Sequence, residues 1–170
     1  MAARPILTAP DPRLKAVSTQ VEKVDAEIRK LAQDMADSMY EADGIGLAAV
    51  QIGVPKRVIV MDLDQKEGKK NWKAFINPKI LWASDELAVY EEGCLSVPEI
   101  YDDVERPARI RCEYLDLDGK RIEIEADGML ATCLQHEMDH LEGVLFIDHL
   151  SRLKRSMLLK KLTKAKKLEV

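Results

Sequence analysis

The residues best able to do chemistry crowd into one stretch, Gln135-His136-Glu137-Met138-Asp139-His140. On a helix, His136 and His140 stand one turn apart on the same side, where two imidazoles can hold one metal ion. Glu137 lies beside that face, within reach of a water held at such a metal. The neighbouring positions Met129, Leu130, Ala131, Cys133, Leu134 and Leu141 are apolar. A helix that is apolar nearly all round is a buried one, so its polar side chains need partners. A metal supplies one.

Two imidazoles do not complete a catalytic metal site, which ordinarily has three protein ligands and one open position. A longer metalloprotease pattern places a third histidine in HExxHxxGxxH, but here the run reads HEMDHLEGVLF, with Phe146 in the last position. A thermolysin-like downstream glutamate is also missing: only Glu142 and Glu169 follow His140, one too near and one at the chain end. His149 opens a basic segment and reads as an exposed or capping residue. Cys133 would sit about 10 Å from His140 along the helix axis and reads as packing. Cys94, in Glu91-Glu92-Gly93-Cys94-Leu95-Ser96, lies in a turn that can deliver a thiolate from outside the helix. A small buried residue after a strand is the other reading of the same position.

The elements that must position these residues follow from periodicity. Pro5, Pro10 and Pro12 give an extended, turning opening segment. Ile28, Leu31, Met35 and Met39 predict an amphipathic helix over 25–42, with Asp25 as its N-cap. Gly44-Ile45-Gly46-Leu47-Ala48-Ala49-Val50-Gln51 carries little side chain, which suits either a helix C-cap with a tight turn or a close backbone approach. The phosphate-loop patterns are missing from it. Strands are expected at 57–62, 72–76, 80–83 and 87–90. A hairpin is expected over 108–125, turning at Asp118-Gly119, with Cys112 packed on its inner face. The metal-motif helix should run from about Gly128 to Glu142, capped by Asp127 and stopped by Gly143. A last amphipathic helix should start near Ser151, with Leu153, Met157, Leu158, Leu162 and Ala165 on one face.

These elements make one α+β domain over 1–170, the size expected for a chain of 170 residues that is 46% hydrophobic and 33% charged. No apolar run reaches the roughly 20 residues that span a bilayer, and the N-terminus has no signal-peptide core. A cytoplasmic location and no membrane partner are the expectations. Three cysteines, an odd number at irregular spacing, do not form a disulfide framework. From Ser151 onward there are eight Lys/Arg against Glu169, a net +7, which leaves −11 on residues 1–150 within the total of −4. That basic segment suits a solvated packing helix or a contact with polyanion.

Taken in order and at these separations, GIGLAAVQ, EEGCLS and QHEMDH resemble the three signature motifs of the bacterial peptide deformylases, and the likeness extends over essentially the whole chain. The resemblance implies antiparallel β-sheets around a buried central HExxH helix, with an N-terminal amphipathic helix and a C-terminal helix. It implies removal of the formyl group from N-formylmethionyl nascent peptides. It further implies Cys94, His136 and His140 as ligands of one divalent metal, typically Fe²⁺, with Zn²⁺, Ni²⁺ or Co²⁺ as other occupants. Glu137 would be general base and acid, Gln51 and the Leu95 amide would stabilise the oxyanion, and Ile45 and Gly46 would bind substrate. A C-terminal helix that docks on the ribosome is a further implication. One departure is visible: many members have an arginine shortly after the CLS-x-P segment, where this chain reads Glu99-Ile100-Tyr101.

Overall fold

A computed structural model describes residues 3–65 and 68–168. Its helices are α1 (Ala26–Glu41), α2 (Gly128–Leu141) and α3 (Arg152–Leu168). Its strands are β1 (Gly46–Ala48), β2 (Val58–Met61), β3 (Lys73–Ala83), β4 (Leu87–Cys94), β5 (Val97–Pro107), β6 (Arg109–Leu115) and β7 (Arg121–Asp127).

β2 sets the layering. All four of its residues are buried, because alternate side chains feed two different cores. Val58 and Val60 join Leu31, Met35 and Met39 of α1. Ile59 and Met61 join Leu134, Met138 and Leu141 of α2. The antiparallel sheet, in the order β1-β2-β3-β6-β7, therefore carries a helix on each face. β4 and β5 form a second, two-stranded sheet. Its apolar side packs with Phe146, Ile147 and Leu162, and it also touches α2. The metal-motif helix thus lies between two antiparallel sheets, in the α+β arrangement expected from the sequence.

Local chemistry sets the ends of these elements. Asp25 caps α1, its Oδ1 accepting from Ile28 N at 3.1 Å. Asp116 Oδ1 accepts from Asp118 N and Lys120 N, which pins the β6–β7 turn where Gly119 has φ 76°. α2 stops at Gly143, also at φ 76°, and a Cβ there would lie 2.4 Å from Lys15 O. Gly143→Ala should therefore cost well over about 1 kcal/mol, since an alanine is strained at that φ even without the clash. Urea unfolding checks this; an unchanged midpoint would contradict the fit.

Several expectations need correction. The left-handed residue after α1 is Asp43, φ 58°, and not Gly44. β1 is a short edge strand where a cap and turn were one of the readings, and β5 was not expected at all. The two strands predicted at 72–76 and 80–83 are one, β3, which passes through Asn77-Pro78 with register irregularities on both sides of Lys79. Asn77 makes this possible: at φ 50°, its side chain accepts from Val21 N and donates to Val21 O. Asp127 precedes α2 without a side-chain capping bond. On α3 the packed residues are Leu158, Leu159 and Leu162, whereas Leu153 and Met157 are exposed. The side chain of Ala165 lies outside the described residues.

Candidate metal centre

α2 is buried almost throughout, with His136, Glu137 and His140 each at least nine-tenths covered. Cys94, the last residue of β4, meets this helix from the hairpin, its Sγ 3.3 Å from His140 Nε2. One donor atom from each of Cys94, His136 and His140 falls within 4.8 Å of the others. Neither Cys133 nor His149 belongs to that group. Cys133 packs beside the α2 core, and burial pushes its thiol up to about 12. Cys112 is fully buried in β6 opposite Ile124, the packing role expected of it.

The electrostatics of the three donors fit a cation. Burial alone would lower the His136 pKa, but Cys94 and Glu92 overcome it and hold the ring well above the ordinary histidine range. His140 goes the opposite way, through burial and repulsion from His136. A thiolate and two imidazoles make a donor set suited to one divalent metal. His140 Nδ1 and Glu137 Oε1 are buried without a protein hydrogen-bond partner. Burial, followed by the nearby Glu92 and Asp139 charges, pushes the Glu137 carboxyl up to about 7, against the opposing pull of His136 and Arg106. A buried carboxyl with one uncommitted oxygen marks a functional site better than a structural one.

Supporting side chains that the sequence reading missed fix His136. Its Nδ1 lies 2.9 Å from Glu92 Oε1, so the ring's hydrogen is assigned there and Nε2 is directed at the site. Arg106 grips Glu92 with Nε at 2.6 Å from Oε2 and Nη2 at 2.8 Å from Oε1. Its third arm, Nη1, reaches Asp139 Oδ2 at 2.7 Å. Burial would raise the Glu92 carboxyl, yet the bonds from Arg106 and His136 keep it below the usual carboxylate range. Phe146, which occupies the place of a metalloprotease histidine, stacks on His136 with ring centroids 6.1 Å apart.

The small residues of the first motif make room. A Cβ at Gly46 would lie 2.6 Å from Glu137 Oε2, and one at Gly44 would lie 2.6 Å from Leu95 Cδ1. Gln51 is oriented by its own bonds. Oε1 accepts from Ala48 N at 2.9 Å, and Nε2 donates to Ser96 Oγ at 3.0 Å and lies 3.5 Å from Cys94 Sγ. Gln51, Leu95, Ile45, Gly46 and Glu137 all line one cavity of about 420 Å³ with Cys94 and His136. At its rim, Tyr101 is exposed, and its ring would lie 2.4 Å from a Cβ at Gly93. Close approach to Tyr101 thus explains that glycine. Glu99 is held at φ 63° on the same rim, and Ile100 is turned into the hairpin core. No arginine or lysine lines the cavity among the described residues.

A Cys-His-His donor set beside a free buried carboxyl, with amide donors at the wall of the same cavity, has the make-up of a metallohydrolase centre. Known proteins narrow this. The family model of polypeptide deformylases matches residues 3–156. The peptide deformylase of Phenylobacterium zucineum is 63% identical over 164 residues, covering 96% of this chain and 97% of that protein. That of Agrobacterium fabrum is 55% identical over 170 residues, with both chains covered in full (100% each). The crystal structure of peptide deformylase from Ehrlichia chaffeensis superposes with a TM-score of 0.93 at 44% identity, covering 99% of each chain. Another from the same organism, in complex with actinonin, gives 0.91 at 47% identity over 97% of this chain and 98% of that one. The chain belongs to the polypeptide deformylase family. It is a metal-dependent hydrolase that removes formyl groups.

Proposed function

We propose that this chain, as a single catalytic domain, strips the formyl group from the N-terminal methionine of nascent peptides, with Cys94, His136 and His140 holding the metal. The observation that carries this reading is the uncommitted, buried Oε1 of Glu137, a residue that lines the same cavity as Cys94 and His136. When bound, a divalent metal would act as a Lewis acid and lower the pKa of water; Fe²⁺ is the assignment, and Zn²⁺, Ni²⁺ or Co²⁺ suits the same donors.

The chain's own residues do the rest. Glu137 accepts the proton of the attacking water on its carboxylate and returns it to the leaving amine nitrogen, as formate departs. Gln51 Nε2, fixed through Ala48 and Ser96, and the Leu95 amide donate to the formyl oxygen as it gains charge. β1 ends the strand order of its sheet, so an extended peptide can run beside Ile45 and Gly46.

Release of formate from a formyl-Met peptide, with protein prepared without oxygen, tests the activity. Cleavage of an unformylated peptide without formate would favour an endopeptidase instead. For the ligand set, Cys94→Ala should lose most of the bound metal, whereas Cys112→Ala should keep it. Metal analysis of both variants decides, and the reverse pattern would mean that the thiolate was wrongly chosen. The setting is the cytoplasm; among the described residues no helix is long and apolar enough to cross a membrane. The basic residues after Ser151 suit ribosomal RNA, and salt-dependent pelleting with ribosomes tests that contact.

A further inference from the structure

One histidine of the chain has no part in the metal set, yet it is tied to that set by an unbroken run of short bonds. His149 Nε2 lies 2.7 Å from Asp139 Oδ2, the same oxygen that Arg106 Nη1 reaches at 2.7 Å. Because Nε2 faces a carboxylate, the ring's hydrogen sits there. Arg106 passes the constraint to Glu92, and Glu92 to His136 Nδ1. His149 itself is held from behind. It ends the short turn Phe146–His149, whose Asp148 accepts from Lys15, Arg155 and Leu145 N. The turn therefore reaches His136 at two points: through the stacked Phe146 ring, and through the polar run that starts at His149.

We propose that His149 is a positioning residue for the metal centre: by fixing Asp139, it completes the polar run that holds the His136 ring in its ligating orientation. The proposal rests on reading Cys94, His136 and His140 as the metal ligands. Its physical basis is the geometry of Arg106, whose planar fork is rigid. Two of its arms set Glu92, so the position of the third decides the tilt of the whole fork. Asp139 is only partly covered, with 28% of its side chain exposed, and without a second donor it is free to swing toward water. His149 is that second donor. Partners beyond the direct ligands ordinarily change metal affinity by about 10- to 100-fold. A residue three bonds further out, beyond Glu92, Arg106 and Asp139, should change it less, by about 3- to 10-fold.

The test uses full-length protein loaded with Co²⁺, whose absorption reports thiolate and imidazole ligation. The rate of metal transfer to a chelator is then measured beside the spectrum. His149→Leu should lose Co²⁺ about 3- to 10-fold faster and show a shifted spectrum. His149→Gln keeps an N–H donor and should stay within about twofold of the parent. Lys154→Gln is the control for general loosening, because it breaks the Lys154–Asp102 ion pair between α3 and the hairpin without touching the run. The side chain of His149 is 38% exposed, so these variants should fold. An unchanged transfer rate in His149→Leu overturns the proposal. So does equal acceleration in His149→Gln or in Lys154→Gln. Failure of the parent protein to show a thiolate–Co²⁺ spectrum would overturn the ligand assignment, and the proposal with it.

Discussion

Glu137→Gln is expected to lose about two to four orders of magnitude in deformylation rate, the usual contribution of a positioned acid–base group. The substitution is nearly isosteric. Glu137 Oε2 is seated against the bare backbone of Gly46, where even a Cβ would come within 2.6 Å, so the side chain has one place to lie and glutamine fits it. What glutamine cannot do is take a proton and give it back. Metal content should be unchanged, because Glu137 is not among the three donors. Stability should hold or rise, because burial disfavours the ionised carboxyl and one of its oxygens has no partner. Activity lost while stability is kept is the mark of a group retained for chemistry. Formate release, metal analysis and thermal unfolding on one preparation check all three parts. Turnover within tenfold of the parent would remove Glu137 from the mechanism.

The same stretch of chain shows how far a sequence can be read. His136 and His140 were legible because helical spacing alone brings them to one side, and α1 was legible because its apolar positions follow one period. Cys94 became a ligand only through the family resemblance, because excluding the other candidates still left it two readings and nothing local announces a thiolate contributed by a strand end. β5 was hidden for a physical reason. Its inward residues Ile100, Val104 and Arg106 alternate properly, but Glu99 at φ 63° shifts the phase between Val97 and Ile100. Asp102 and Arg106 then place charge where a strand pattern calls for apolar residues. Arg106 can face inward only because Glu92 and Asp139 meet it there, and these partners lie far apart in sequence. A charged residue in phase with buried ones was the available signal for the groups that support the metal site. The α3 stripe was overestimated for the converse reason: helical spacing puts Leu153 and Met157 near the packed residues, but the hairpin core reaches only to Leu158.

Arg106→Leu should cause the largest loss of stability, and its pairing with Glu92 separates folding from metal binding. The two side chains are 6% and 4% exposed, so removing the cation leaves a carboxylate buried without compensation. Breaking such a pair from one side costs about 3–5 kcal/mol, a large share of the 5–15 kcal/mol that holds a domain together. For a chain of this length the melting temperature should fall by about 6–20 °C. Glu92 can relieve its burial by taking up a proton, and as a neutral carboxyl it is a weaker acceptor for the hydrogen on His136 Nδ1. Metal should therefore be lost together with stability. Replacing both partners, as Glu92→Leu with Arg106→Leu, removes the uncompensated charge and should recover most of the stability. It should not recover metal retention, because no acceptor then faces His136 Nδ1. Thermal unfolding of the metal-free proteins, beside chelator challenge of the loaded ones, distinguishes the two effects. Should the double variant hold metal as firmly as the parent, His136 would be oriented by its packing against Phe146 alone, and the carboxylate would serve only to neutralise Arg106.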